Sequence, residues 1–140
     1  MAWLRANIQW LMIVSGVLTL TMVYAAIAPD AALRSTFGAD LDGPVADVVV
    51  RNWGALIGLM GVMLIYGAKR PDLRPFVLTV TGASKATFIG LVLSHGTRFL
   101  SAQAGVAVAV DLLWVLLFVG YLVAARRGVP SKTPTQYQTV

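Results

Sequence analysis

The sequence predicts an all-α integral membrane protein, an antiparallel four-helix bundle. Three observations carry that prediction. Of 140 residues, 58% are hydrophobic and only 12% charged, whereas a soluble domain carries about a quarter charged residues. The apolar residues fall into four long runs, each near the ~20 residues that cross a ~30 Å hydrocarbon core. The connections between runs are short, which makes successive helices antiparallel neighbours. No room is left for a second folded domain, and no tandem repeat is visible.

The first span is expected at about residues 8–28. No charge occurs from Ala6 to Pro29. Val23-Tyr24-Ala25 resembles the small-residue cleavage site of a signal peptide, but the apolar run exceeds the ~7–15 residues of a signal core. A retained helix is the expectation, with Trp3 and Trp10 at one interface and Tyr24 at the other. Pro29-Asp30 then opens a short interfacial helix that stops at Gly38. Asp40-Leu41-Asp42-Gly43-Pro44 is turn chemistry. Its aspartates share part of a calcium-loop pattern without the remaining ligand positions, so a solvated turn is expected.

The second span covers about residues 45–68. Asp47 and Arg51 are four residues apart and face the same side of its first turns. Gly54, Gly58 and Gly61 line one face, where another helix can approach closely. Their spacing does not show whether that helix belongs to the same chain. Lys69-Arg70-Pro71-Asp72 makes a tight basic turn, and Pro75 suits the first turn of the next helix.

The third span covers about residues 75–95. Gly82, Ala86 and Gly90 recur every four residues and form a second packing stripe. Thr79, Thr81, Ser84, Thr87 and Ser94 make it the most polar span, although such hydroxyls commonly bond back to helix carbonyls. Gly96-Thr97-Arg98 turns the chain into the fourth span, about residues 102–125. Gly105 and Ala109 keep its first half slim, and Trp114, Phe118 and Tyr121 fill its second half. Arg126-Arg127 stops it. Residues 128–140 lack apolar periodicity and read as a flexible cytoplasmic tail.

Lysine and arginine distribution sets the expected orientation. Arg5, Lys69, Arg70, Arg74, Arg126, Arg127 and Lys132 lie on the side of the termini. Arg34, Arg51 and Arg98 lie opposite, among Asp30, Asp40, Asp42 and Asp47. This favours both termini in the cytoplasm.

Two charges stand where lipid disfavours them. Lys85 lies thirteen residues before Arg98 and Asp111 thirteen after it, so a helical hairpin brings them to similar depth. An unpaired Lys or Asp at mid-span costs about 2.5–3.5 kcal/mol on insertion scales. Both are therefore expected to turn inward and meet. Arg51, about 25 Å above Ala68 at helical rise, is expected to contact Asp111 from above. The predicted intramembrane polar cluster is Arg51, Lys85 and Asp111, with Asp47, Thr21 and Tyr24 at its periphery. Such a cluster serves either to fix helix register or to form a polar pocket or proton relay.

Other chemistry finds little support. There is no cysteine, no glutamate and one histidine, His95. That excludes disulfides, thiolate metal sites and a bis-histidine haem within one chain. No Ser-His-Asp arrangement, phosphate loop or HExxH motif is present. No catalytic residue, metal ligand or cofactor is assigned. The pI of 10.1 does not point to nucleic acid, because the basic residues sit at loop ends, where topology explains them.

Several features together resemble the DoxX-like group of small four-helix bacterial membrane proteins. Ala28-Pro29 closes the first helix, Phe37-Gly38 lies in the loop, Arg51-Asn52-Trp53-Gly54 opens a glycine-rich second helix, and Lys69-Arg70-Pro71 precedes the third. The resemblance spans about residues 8–126. It implies a compact bundle in a bacterial inner membrane and brings no activity or catalytic residues with it. The small multidrug transporters are similar in length, but their activity depends on a first-helix glutamate that this chain lacks. The function expected is a non-enzymatic module in the lipid bilayer. It would be a homo-oligomer or an accessory subunit of a larger membrane complex, or would hold a lipophilic ligand. A small proton-coupled transporter or channel using the Lys85–Asp111 pair is the alternative.

Overall fold

The computed structural model describes residues 2–127. The expected tail, 128–140, lies outside them. All elements among the described residues are helical: α1 (Ala2–Leu20), a 3-10 turn (Thr21–Val23), α2 (Tyr24–Ile27), α3 (Pro29–Phe37), α4 (Pro44–Ala68), α5 (Arg74–Ser94) and α6 (Gln103–Arg127). Four stretches are long and apolar enough to cross a membrane: Ala2–Ile27, Pro44–Ala68, Arg74–Ser94 and Gln103–Arg127.

The helix limits follow from local chemistry. Pro29, Pro44 and Pro75 occupy first-turn positions of α3, α4 and α5, where a missing N–H costs nothing. Gly38 closes α3 in the left-handed region at φ 64°, with its N–H on Arg34 O at 2.9 Å, a conformation that disfavours any residue with a Cβ. At the other end of the molecule Arg74 Nη2 donates to Ala68 O at 2.8 Å. It thereby satisfies a carbonyl left over at the end of α4. Arg5 likewise donates to Ala124 O, tying the start of α1 to the end of α6.

The long helices associate most closely as two pairs, α1 with α4 and α5 with α6. Glycine makes the first pair possible. A Cβ on Gly61 would lie 2.7 Å from Gly16 O, and one on Gly54 would lie 2.5 Å from Ala26 N. Gly58 faces Val23 at similarly close range. The partner that the Gly54–Gly58–Gly61 stripe accommodates is therefore this chain's own first helix, its 3-10 turn and α2.

The second stripe behaves differently. A Cβ on Gly82 or Gly90 would meet nothing within 4 Å, and Ala86 and Gly90 are exposed. The expectation that Gly82, Ala86 and Gly90 pack a helix is not met among the described residues. The reason is geometric: α5 turns its other side, with Val77, Leu78, Thr81 and Val92, toward the interior.

The core forms in separate pieces. Near the chain ends, Ile8, Met12, Leu64, Leu78, Trp114 and Phe118 make one apolar cluster drawn from all four long helices. At the opposite end, Ala25, Ala32 and Val50 make a second cluster, and Val92, Ala104 and Val108 a third. Phe37, the last residue of α3, joins those two. Its ring lies 5.9 Å from Trp53 and 5.5 Å from Phe99, the latter edge-on, geometries that aromatic pairs favour.

Candidate functional site

Between these clusters lies a cavity of about 570 Å³, within the range of small-molecule sites. Leu64, Thr81 and Trp114 close it toward the chain ends, and Trp53, Phe88 and Thr36 toward α3. Leu18, Val106 and Val110 line it while remaining 50%, 67% and 37% exposed. These exposed apolar residues, from α1 and α6, mark that side as an apolar approach from the surroundings.

Lys85 and Asp111 face each other on the cavity wall. Lys85 Nζ lies 2.5 Å from Asp111 Oδ1, with side-chain exposures of 11% and 18%. Nζ also donates to Thr19 Oγ1 at 3.3 Å. Three helices thus meet at one ammonium group: α1 through Thr19, α5 through Lys85 and α6 through Asp111. The helical hairpin brings Lys85 and Asp111 together because each sits a similar distance from the turn at Arg98. The alternative for each is an unpaired charge in an apolar wall, which costs far more than a hydrogen-bonded pair.

Arg51 is not a third member of this group. Its Nε donates to Asp47 Oδ1 and Oδ2 at 3.0 and 2.9 Å, and its Nη1 to Ala26 O at 2.7 Å and Ile27 O at 3.3 Å. The expectation of an Arg51–Asp111 contact overlooked these closer acceptors. The first helical stretch ends at Ile27, and a helix end leaves its last carbonyls without intrahelical donors. Pro29 supplies no N–H to them. Arg51 fills that need, and Asp47, one turn earlier, completes its shell. Asp47 therefore belongs to an Arg51-centred helix cap, separate from the Lys85–Asp111 pair.

Of the other peripheral candidates, Thr21 lines the cavity, with its hydroxyl donating to Leu18 O at 2.6 Å. Tyr24 is 45% exposed and is not among the residues that line the cavity. Thr81, Thr79 and Thr87 return hydrogen bonds to Val77 O, Pro75 O and Ala83 O, the expected behaviour of helical hydroxyls. His95 is exposed, and its Nδ1 lies 2.9 Å from Leu91 O.

Thr19 is the site residue that sequence reasoning missed. The signal was present: Ile8, Met12 and Ser15 are fully buried, and Thr19 extends that i, i+4, i+7, i+11 stripe by one turn. Among the described residues, no group of three or more His, Cys, Asp or Glu side chains is arranged to hold a metal ion. A surface hollow of about 350 Å³ near α3 is lined in part by Asp30, Asp42 and Asp47.

Comparison of the chain with protein families, with curated proteins and with solved structures finds no match in any of the three.

Proposed function

We propose that this small membrane protein is a non-enzymatic, four-helix module that holds a lipophilic molecule in the cavity between its helix pairs. The observation that carries this reading is the cavity itself, with a largely apolar wall that also carries threonines, Ser84 and Gln103, exposed apolar residues at its side, and one hydrogen-bonded ion pair. Binding sites for small molecules characteristically join a largely apolar lining to a few placed polar groups. An apolar approach at that side suits a guest that arrives from lipid. The uneven division of Lys and Arg supports both termini lying in the cytoplasm, with the cavity nearer the outer face. The resemblance to the DoxX-like group supports a bacterial inner membrane.

Native mass spectrometry of the protein released from lipid nanodiscs tests the reading. A discrete adduct, absent from an Ala107→Trp variant whose new side chain fills the cavity, is the expected result. Equal adduct patterns in both proteins would count against it.

The Lys85–Asp111 pair also supports a second reading, a proton-coupled transporter, because a carboxylate on a cavity wall is a proton site. Asp111→Asn should then abolish coupled flux while leaving assembly intact. Proteoliposomes showing no flux under any imposed gradient would remove this reading.

A further inference from the structure

We infer that the cavity selects neutral, hydroxyl-bearing lipophiles (alcohols or phenols) over ions and over ethers of the same shape. The inference rests on the ligand-binding reading above and deepens it.

Charge comes first. Lys85 and Asp111 are the two formally charged residues lining the cavity among the described residues, and they neutralise each other across 2.5 Å. An anionic guest would have to draw Lys85 from Asp111, and a cationic guest would have to draw Asp111 from Lys85. Either exchange leaves one group of the pair without its partner in an apolar wall, and breaking such a pair on one side is strongly unfavourable. A neutral guest leaves the pair intact.

Hydrogen bonding comes second. An ammonium group has three N–H donors. Two are directed to Asp111 Oδ1 and Thr19 Oγ1, leaving one. Asp111 Oδ2 receives no hydrogen bond among the described residues, yet it is not among their sealed, unpartnered atoms, which are Ser15 Oγ and Arg74 Nε. Oδ2 therefore keeps accessible surface, on a residue that lines the cavity. The pair offers a guest one donor and one acceptor side by side. A hydroxyl group answers both at once: its oxygen accepts from Lys85 Nζ, and its O–H donates to Asp111 Oδ2. An ether answers only the first and leaves the carboxylate oxygen unmet. Sites built to bond a hydroxyl discriminate strongly against analogues without one, because a buried polar group is then left unpaired.

The apolar part of the remaining lining, which also includes Thr36, Ser84 and Gln103, suits the rest of such a molecule. Trp53, Phe88 and Trp114 present aromatic surface, and Leu18 and Val106 an aliphatic approach. Aromatic rings pack well against such walls, so an alkylated phenol is a fitting probe.

Two of the four tryptophans, Trp53 and Trp114, line the cavity, while Trp3 and Trp10 are 62% and 68% exposed. A Trp3→Phe/Trp10→Phe protein in nanodiscs therefore reports on the cavity by intrinsic fluorescence. Four probes of matched size are titrated: 4-hexylphenol, 4-hexylanisole, 4-hexylbenzoate and 4-hexylbenzylammonium. The expected result is a saturable change with the phenol at least tenfold tighter than with the other three. In Lys85→Met/Asp111→Leu, phenol and anisole should become equal within about threefold. If anisole matches the phenol in the parent protein, or either ion binds more tightly, the hydroxyl inference falls and the cavity reading stands. If no probe gives a saturable change, or if Ala107→Phe leaves every titration unaltered, both fall. The phenol–anisole comparison is made on one protein, so it does not depend on any pair variant folding.

Discussion

Gly16 and Gly61 stand where neither helix has room for a side chain. A Cβ on Gly61 would lie 2.7 Å from Gly16 O, and a Cβ on Gly16 would lie 2.9 Å from Gly61 O. The contact is reciprocal and involves backbone, so no side-chain rotation relieves it. Gly61→Ala and Gly16→Ala should each destabilise the protein by about 1–3 kcal/mol, the usual cost of overpacking. Gly82→Ala and Gly90→Ala, with nothing within 4 Å, should leave stability unchanged or raise it by up to about 1 kcal/mol, because alanine is the better helix former. Unfolding in mild detergent measures all four. Equal effects at Gly61 and Gly90 would contradict the helix pairing described.

The Lys85–Asp111 pair makes a second prediction, about coupling. Asp111→Asn alone leaves an ammonium in an apolar wall, and Lys85→Met alone leaves a carboxylate there. Removing one partner of a fully buried pair costs about 3–5 kcal/mol. The side chains here keep 11% and 18% exposure, so about 1–3 kcal/mol is expected for each single change, less than the fully buried case. The double variant should lie within about 1 kcal/mol of the parent, because no charge is then stranded. A double-mutant cycle of unfolding free energies checks this. Additive single effects would mean that the two groups do not interact.

Those two relationships bear on how far the sequence could be read. The four apolar runs, the proline-marked starts and the close-approach glycines of α4 follow from composition and spacing, which act locally. The depth match of Lys85 and Asp111 was legible because both helices leave the same turn. Arg51 was misassigned because depth says nothing of competing acceptors. The carbonyls of Ala26 and Ile27 become acceptors only once the first helical stretch is known to end there. The break of that stretch at Thr21–Val23 carries no proline or glycine, so it was invisible. The cavity was invisible for a more general reason: it is a volume left between helices, set by how far apart the pairs stand. No stretch of sequence encodes that distance by itself.

Arg51 gives a third prediction that separates the two polar groups. Its guanidinium bonds Asp47 and the carbonyls that end α2. An Arg51→Met/Asp47→Ala cycle should show a coupling of about 0.3–1 kcal/mol, the scale of exposed ion pairs. An Arg51→Met/Asp111→Asn cycle should be additive within about 0.3–0.5 kcal/mol, as independent sites are. Substantial coupling between Arg51 and Asp111 would restore the three-membered cluster expected from depth.

Orientation supplies the last prediction, and the absence of cysteine makes it direct. Single cysteines can be placed without background labelling. Ala39 lies in the exposed turn after α3, and Asp72 in the exposed turn between α4 and α5. The excess of Lys and Arg on the side of Asp72 predicts a cytoplasmic position for that turn, because basic loops resist translocation. In intact bacterial cells stripped of outer-membrane barriers, Ala39→Cys should react with a membrane-impermeant maleimide and Asp72→Cys should not. Permeabilised cells should label both. Labelling of Asp72→Cys alone in intact cells would invert the topology. It would also move the cavity, which lies toward α3, from the outer to the cytoplasmic half of the membrane.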